Sequence, residues 1–425
     1  MLSEINKNDA RSLGSWLKSR TQTLDTHIMT TAMDLIEKVR TQGDSALQEL
    51  TEKFDHVKVD SLKLDEATWD QLASQVDPAF KAALQGARDN ILAFHEAQKE
   101  NSYVITKDNG VYLGQRVIPL DSVGLYVPGG RAQYPSSVLM NCIPAKVAGV
   151  SRIVMTTPPN RQGLIEPNIA YAARLAGVSE IYLAGGAQAI AALAYGTQTI
   201  APVDKIVGPG NAFVAAAKKL VFGTVDIDMI AGPSEILVVA DEGADPAFVA
   251  ADLLSQAEHD PMASAILLTT DRTLLEQVNA QLEIQTAALP KQEIVRQSLA
   301  AYGKAVVCGT LEECIELANA AAPEHLELMV KDPMNYLGQV RHAGSVFLGY
   351  YTCESIGDYY GGTNHVLPTS GTARFSSALG VDAFVKKSCF LHYTRSQLQQ
   401  DGEYIQILAE EEDLRAHANA VKVRL

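Results

Sequence analysis

The stretch SQAEHD, residues 255–260, places an amide side chain, Gln256, three residues before an imidazole, His259. The segment has a helical pattern, and residues three apart on a helix share a face. Zinc and related metals bind histidine nitrogen, carboxylate oxygen and, less often, amide oxygen, so the two residues are candidate ligands of one metal ion. The alternative is an ordinary solvated helix surface, and the spacing alone does not decide between them.

Further candidate ligands lie far along the chain. The segment ESIGDYYGGTNHVLPT, residues 354–369, offers Asp358 and His365 in a predicted glycine-rich loop, and LRAHANAV, residues 414–421, offers His417. A single histidine is more often a surface or satisfied core residue than a ligand. Spacing therefore cannot show that these groups meet.

A carboxylate beside an imidazole, Glu324 and His325, opens the apolar run in AAPEHLEL. Glutamate and histidine have ordinary pKa values of ~4.3 and ~6.5, which bracket useful proton transfers near neutral pH. The pair is a candidate acid and base at the start of a predicted strand. The alternative is two polar residues facing water at the end of an element.

The elements that must position these residues follow two patterns. Up to about Lys99, apolar residues recur at spacings of three and four, which predicts helices. Beyond it, short β-rich runs such as EILVVAD alternate with Ala-rich helical segments, which predicts βαβ units around a mainly parallel sheet. Two such series predict two α/β units, and the tail from about Asp382 returns to a helical pattern. The predicted fold class is α/β.

Four glycine-bearing loops accompany the predicted strands: GLYVPGG (124–130), AGGAQAI (184–190), VGPGNAF (207–213) and AGPSEI (231–236). Ligands of open α/β sheets bind outside the carboxyl ends of the strands, where glycine permits a close approach of the backbone. We expect these loops to face one cofactor cleft, although ordinary strand-to-helix turns are the alternative for each. The standard dinucleotide fingerprint is absent, because Phe213 stands where its third glycine belongs.

Composition narrows the function classes. The 425 residues are 47% hydrophobic with a net charge of −15, which predicts more than one packed core and argues against a nucleic-acid partner. The sequence has no apolar run long enough to cross a membrane and no apolar signal-peptide core near Met1, so we expect a cytoplasmic protein. The five cysteines include no C-x-x-C pair, which argues against a thiolate zinc site. Cys142 is a candidate nucleophile; the alternative is a small buried hydrophobic residue, which is the commoner role of cysteine.

Taken in order, the long motifs resemble one family closely. The chain from about Arg40 to the C-terminus resembles histidinol dehydrogenase through GLYVPGG, YPSSVLMN, VGPGNAFV, IAGPSEI, SQAEHD, APEHLEL, ESIGDYYGGTNHVLPT and LRAHANAV. The resemblance implies a zinc-dependent enzyme that oxidises L-histidinol through L-histidinal to L-histidine with two NAD+, the last step of histidine biosynthesis.

The resemblance also implies residue roles. It makes Glu324 and His325 the catalytic acid/base pair. The implied zinc ligands are Gln256, His259, Asp358 and His417. The implied substrate contacts are Ser234, Gln256, His259, His325, Asp358, His365, Glu412 and His417, with Glu412 selected over Glu410 and Glu411 by its distance from His417. The implied NAD contacts are Tyr126, Gln188 and Asn211.

The family architecture implies two incomplete Rossmann-like α/β domains with small helical N- and C-terminal extensions in an intertwined homodimer. The expected boundaries are 1–24 for the N-terminal extension, 25–121 with 235–380 for the metal and catalytic domain, 122–234 for the NAD domain, and 381–425 for the tail. Glu412 and His417 would then complete the site of a second copy. Two competing hypotheses are aldehyde oxidation through a Cys142 thiohemiacetal and a non-catalytic ligand-binding protein.

Overall fold

The computed structural model describes residues 1–10, 12–19, 26–129 and 134–425. The strands are β1 (Ser3–Glu4), β2 (Tyr103–Thr106), β3 (Tyr112–Pro119), β4 (Ser122–Tyr126), β5 (Arg152–Thr157), β6 (Glu180–Leu183), β7 (Lys205–Val207), β8 (Asp226–Ile227), β9 (Glu235–Ala240), β10 (Ser264–Thr269), β11 (Gly303–Val307), β12 (His325–Met329), β13 (Ser345–Leu348) and β14 (Val385–His392). The helices are α1 (Lys7–Ala10), α2 (Leu13–Ser19), α3 (Thr26–Gln42), α4 (Asp44–Asp55), α5 (Glu66–Ser74), α6 (Pro78–Glu96), α7 (Pro135–Ala148), α8 (Pro167–Ala176), α9 (Gly186–Tyr195), α10 (Ala212–Val221), α11 (Pro246–Ala257), α12 (Arg272–Ala288), α13 (Gln292–Tyr302), α14 (Leu311–Ala321), α15 (Met334–Leu337), α16 (Glu354–Tyr359), α17 (Arg395–Glu411) and α18 (Arg415–Lys422).

Sheet A is parallel throughout, with its strands in the order β1-β11-β10-β9-β12-β13. From β9 the chain adds β10 and β11 on one side, then returns to add β12 and β13 on the other. The central strands EILVVA and SAILLT are buried at every position, because helices cover both faces of a parallel sheet.

Sheet B repeats this arrangement with the order β6-β5-β4-β7-β8, again all parallel. Counted from β9 in sheet A and from β4 in sheet B, both sheets have the reversal of strand order that characterises doubly wound dinucleotide-binding folds. The predicted α/β class and its two Rossmann-like units are confirmed.

The third sheet, sheet C, corrects a prediction. The tail from about Asp382 was expected to be helical, but it begins with a strand, β14, that pairs antiparallel with β3, and β3 pairs with β2. The segment VKKSCFLH is short and almost wholly exposed, so its alternation of side chains was not recognisable as a half-buried strand. Helices α17 and α18 then follow as expected.

The hydrophobic cores show which elements belong together. The core of sheet B also contains residues of α3 to α6, among them Ile36, Leu50, Trp69 and Ile91. Helices α3 to α6 therefore pack on residues 122–234, although the sequence prediction groups them with 235–380; the domain boundaries stay a prediction. Within the described chain, no helix has the length and apolar character needed to cross a membrane.

The two sheets present opposite edges to the region of the candidate site. The segments at 124–129, 184–190 and 207–213 lie at the carboxyl ends of β4, β6 and β7, and the loop at 231–236 leads into the amino end of β9. Gly130, the last residue of the first predicted loop, lies outside the described residues. At the start of α7, which follows β4, the Ser137 hydroxyl lies 3.2 Å from His365 Nε2. The carboxyl edge of sheet B therefore adjoins the loop that follows α16.

Candidate active site

His325 is the first residue of β12, beside Ile236 of β9 in the ladder of sheet A. Its Nδ1 lies 3.0 Å from the Glu235 carbonyl oxygen, which can only accept, so Nδ1 carries the hydrogen. The side chain is 4% exposed and its Nε2 has no hydrogen-bond partner. This tautomer leaves a lone pair on Nε2, as a general base requires.

Glu324 is a buried carboxyl whose position is set by the neighbouring strand. Its Oε2 accepts a hydrogen bond from the Glu235 amide at 2.9 Å and lies 3.7 Å from His325 Nδ1. Burial raises the pKa of Glu324 to about 8; His325 opposes the rise and the negative charge of Glu235 adds to it. The carboxyl can therefore exchange a proton near neutral pH.

A group of candidate metal ligands lies beside His325 Nε2. One ligand atom each of His259, Glu354 and Asp358 lies within 4.8 Å of the others. His325 Nε2 is 3.8 Å from Asp358 Oδ1 and 3.9 Å from Glu354 Oε1. Nitrogen and carboxylate oxygen donors suit zinc and its neighbours, and burying two mutually repelling carboxylates favours a cation between them.

Gln256 is a further candidate metal ligand, because its side-chain oxygen accepts no hydrogen bond from the described residues. The residue is 1% exposed, and its Oε1 has no hydrogen-bond partner. A buried polar atom without a partner is costly, and a bound metal ion would satisfy it. Helix α11 ends at Ala257, so His259 lies just beyond the helix, with its amide donating to the Gln256 carbonyl at 3.2 Å.

Glu354 is a site residue that the sequence analysis did not select. It is 2% exposed; its Oε2 accepts from Ser255 Oγ at 3.2 Å, and its amide donates to Glu327 Oε1 at 2.9 Å. Burial, with the charge of Asp358, raises the pKa of Glu354 well above its ordinary value. Asp358 was predicted to lie in a loop, but it is on α16, so the four-residue spacing from Glu354 was an available signal that both share a helix face.

His365 lies in the loop after α16 and is fixed at both ring nitrogens. Nδ1 lies 2.9 Å from the Asp358 carbonyl oxygen, and Nε2 lies 3.2 Å from Ser137 Oγ. Burial lowers the pKa of His365, which favours its neutral form. Ser234 is half-buried just before β9, and its carbonyl accepts from the Ser264 amide.

The two predicted site residues of the tail do not join this group within one chain. Glu412 follows the last residue of α17 and His417 lies on α18, and both side chains are exposed. The metal-ligand group found among the described residues contains neither of them. The roles of Glu412 and His417 stay a prediction.

The three predicted NAD contacts line one cavity of about 800 Å³. Tyr126 ends β4, Gln188 is in the first turn of α9, and Asn211 caps α10 by accepting from the amides of residues 213 and 214. The Tyr126 hydroxyl oxygen accepts from the Gly186 amide at 3.1 Å. The structure thus gathers these residues, while their part in NAD binding stays a prediction.

A buried ion pair holds the loop that carries Asn211. Lys218 Nζ contacts Asp228 Oδ1 and donates to the Gly208 carbonyl at 3.0 Å, and the Gly208 amide donates to Asp228 Oδ2 at 2.8 Å. Gly208 has φ +119°, and a Cβ there would lie 2.1 Å from the Tyr126 carbonyl oxygen. Only glycine permits this approach of β7 to the end of β4.

Cys142 is unsuited to nucleophilic chemistry. It is fully buried in α7, and its Sγ donates to the Ala176 carbonyl at 3.4 Å. Burial raises the pKa of the Cys142 thiol to about 12, so the reactive thiolate is disfavoured. This finding argues against the thiohemiacetal hypothesis.

Comparison with known proteins agrees with the motifs. The profile of the family described as histidinol dehydrogenase matches residues 18–425. The histidinol dehydrogenase of Clostridium acetobutylicum is 52% identical over 408 residues, 96% of this chain and 95% of that protein. The histidinol dehydrogenase of Geobacillus kaustophilus is 54% identical over 393 residues, 92% of this chain and 93% of that protein. The crystal structure of histidinol dehydrogenase from Elizabethkingia anophelis, 42% identical, has a TM-score of 0.94 and covers 100% of this chain and 98% of that chain. Because the similarity extends over almost the whole chain in sequence and in fold, this protein belongs to the histidinol dehydrogenase family of oxidoreductases.

Proposed function

We propose that this protein oxidises L-histidinol through L-histidinal to L-histidine, with zinc and two equivalents of NAD+. The observation that carries the proposal is the buried, unpartnered Nε2 of His325 beside the ligand group of His259, Glu354 and Asp358. A base and a metal-type donor set in one place suit an alcohol oxidation on a positioned substrate.

Zinc would be held by Gln256, His259 and Asp358 of one chain and His417 of a second. The unpartnered Oε1 of Gln256 and the clustered donors of His259 and Asp358 support the three ligands of the same chain. When bound, zinc would supply positioning by binding the imidazole and amino nitrogens of the substrate. Ser234, His365 and Glu412 are the further substrate contacts in this proposal.

His325 performs the first proton transfer. Its Nε2 takes the hydroxyl proton while the carbinol carbon loses a hydride, which leaves the aldehyde. When bound, NAD+ supplies the hydride acceptor for each of the two oxidations. The carboxylate of Asp358, 3.8 Å from Nε2, stabilises the imidazolium that forms.

Glu324 performs the hydration. As a carboxylate, it takes a proton from water, whose oxygen attacks the aldehyde carbon, and the His325 imidazolium returns its proton to the former carbonyl oxygen to give the gem-diol. His325 Nε2 then takes a hydroxyl proton from the diol while the carbon loses a second hydride, which yields the carboxylic acid. A carboxyl with a pKa of about 8 is a stronger base than an ordinary glutamate, which suits this step.

The NAD+ site is the cavity at the carboxyl edge of sheet B. Tyr126, Gln188 and Asn211 line it, together with the amino end of α9. Its position at the reversal of strand order between β4 and β7 supports the proposal, because dinucleotides bind there in doubly wound folds.

The active form is an intertwined homodimer in which the tail reaches the partner. Support comes from large apolar side chains that the single chain leaves exposed on β2, β14 and α17. They include Tyr103, Val104, Leu391, Tyr404 and Leu408. Apolar surface of this extent is typical of an interface.

The test is the absorbance of NADH after histidinol is added to the protein with NAD+ and Zn2+. We expect two NADH for each histidinol consumed, with L-histidine as the product. His325→Ala should lose the activity, whereas exposed His27→Ala on α3 should retain it. No NADH from a folded, metal-loaded protein would overturn the proposal, and one NADH per histidinol would restrict it to the first oxidation.

A further inference from the structure

Asp55 lies on the wall of the cavity that contains Tyr126, Gln188 and Asn211. It is the last residue of α4 and is half-buried. One of its carboxylate oxygens, Oδ2, is shielded from solvent and has no hydrogen-bond partner. Nothing in the sequence motifs singled out this residue.

The position is unfavourable for a carboxylate in the fold alone. The carbonyl ends of a helix repel negative charge at its last turn, and Asp55 ends α4. Burial raises the pKa of Asp55 to about 6, with His56 opposing the rise. An uncharged side chain would therefore suit the folded protein better, and destabilising polar groups of this kind concentrate at functional sites.

The surroundings of Asp55 are otherwise suited to a ligand with an apolar face and polar groups. Phe54, Phe213 and Pro158 contribute apolar surface to the same cavity. Asp55 and Tyr126 line the same cavity, and burial raises the pKa of Tyr126 to about 12, with a smaller contribution from the charge of Asp55. The Tyr126 oxygen already accepts from the Gly186 amide, and Asp55 adds carboxylate oxygens to the same cavity.

We propose that Asp55 accepts hydrogen bonds from the ribose hydroxyls of the adenosine half of the bound dinucleotide and thereby selects NAD over NADP. The inference rests on the proposed NAD-linked function. A vicinal diol offers two adjacent donors to the two oxygens of a carboxylate, and acidic residues do this in dinucleotide-binding folds. A 2′-phosphate removes one donor and brings negative charge against Asp55. Arg161, an exposed residue of the same cavity, is a second charged group there, and an arginine can accept a 2′-phosphate in these folds, so a wild type that binds NADP+ as tightly as NAD+ overturns the selectivity.

The test is calorimetric binding of NAD+ and of NADP+ to the wild type, to Asp55→Asn and to Glu52→Gln. The wild type should prefer NAD+. Asp55→Asn should bind NAD+ about tenfold more weakly or worse, because a charge-assisted hydrogen bond is lost, while its affinity for NADP+ stays or rises. Glu52 is exposed on the same helix, so Glu52→Gln is the control for the charge change and should match the wild type.

Thermal unfolding without ligand separates the proposed role from a structural one. Asp55→Asn should melt at the wild-type temperature or above it, since the carboxylate is unfavourable there. Asp55→Ala serves if Asp55→Asn does not fold, with the same expected loss of NAD+ affinity. NAD+ binding by the variant within twofold of wild type, or an equal loss for both dinucleotides, overturns the role of Asp55 alone. A folded wild type that binds neither dinucleotide overturns the NAD linkage and this inference together.

Discussion

The amino edge of sheet A and the C-terminal tail both carry predicted site residues, but they differ in packing. At the sheet edge Gln256, Glu324 and His325 are each no more than 8% exposed and are held by neighbouring elements. On the tail Glu412 and His417 are exposed, and α17 and α18 pack chiefly on each other. One region is organised within the chain and the other is not.

This difference in packing indicates which parts of the chain a second copy would complete. Buried polar atoms at the sheet edge, such as Gln256 Oε1 and His325 Nε2, lack hydrogen-bond partners. The tail instead has apolar side chains that the described part of the single chain does not cover, since Tyr404 and Leu408 are 69% and 67% exposed. A second copy would supply ligands to the first region and apolar cover to the second, as the proposed dimer requires.

Metal removal should give the largest loss of activity, because the proposed metal ligands lie at the amino edge of sheet A. Chelation is expected to abolish histidinol oxidation, and added Zn2+ should restore it, since Gln256, His259 and Asp358 offer nitrogen and oxygen donors. Metal content by mass spectrometry and NADH formation would be measured on the same samples. Undiminished turnover after verified metal removal would contradict a functional metal site at the amino edge of sheet A.

Mixed dimers test whether the two regions meet across subunits. His259→Ala and His417→Ala chains, each expected to lose activity by a factor on the order of 10³, are combined under conditions that allow exchange. If the tail acts in trans, one site in each mixed dimer regains both histidines, and random exchange should restore roughly a quarter of wild-type activity. A mixture that stays inactive despite confirmed exchange would assign the tail to its own chain.

Glu324→Gln tests the division of labour within the sheet edge. We expect the first hydride transfer to persist in single turnover and conversion of the aldehyde to the acid to fall about 10²- to 10⁴-fold, because hydration loses its base. Glu324 acts when ionised and its pKa is about 8, so the wild-type rate of aldehyde oxidation should rise with pH and level off above that value. Equal loss of both hydride transfers would refute separate roles for Glu324 and His325.

Two leucine variants separate the two regions by what each leucine packs against, and Leu267→Ala should give the smallest effect on the site. Leu267→Ala, at a fully buried position of β10, is expected to lower the free energy of unfolding by about 2 to 5 kcal/mol without changing the sedimentation mass. Leu408→Asp on exposed α17 should instead shift the protein from dimer to monomer. A wild type that sediments as a monomer, or a Leu408→Asp dimer as stable as wild type, would remove the interface from the tail.

Much of the fold follows from local pattern. Apolar strand runs and Ala-rich helices predict both α/β units, because a strand buried on both faces is apolar throughout. The start of β12 at His325 was predictable for the same reason. The exposed strand β14 was not, since pairing with β3 leaves little burial for a pattern to record.

The sequence alone was sufficient to predict the family and the residue types of the candidate metal ligands and bases, because long motifs specify the identity and order of residues. Tertiary structure alone decided which atoms are available. His325 presents Nε2 because Nδ1 meets a backbone carbonyl of β9, and any residue at position 235 would offer that carbonyl. Asp55 has an unpartnered oxygen on a cavity wall because α4, which is distant in sequence from the strands of sheet B, places it there, and sequence spacing carries no record of such a contact.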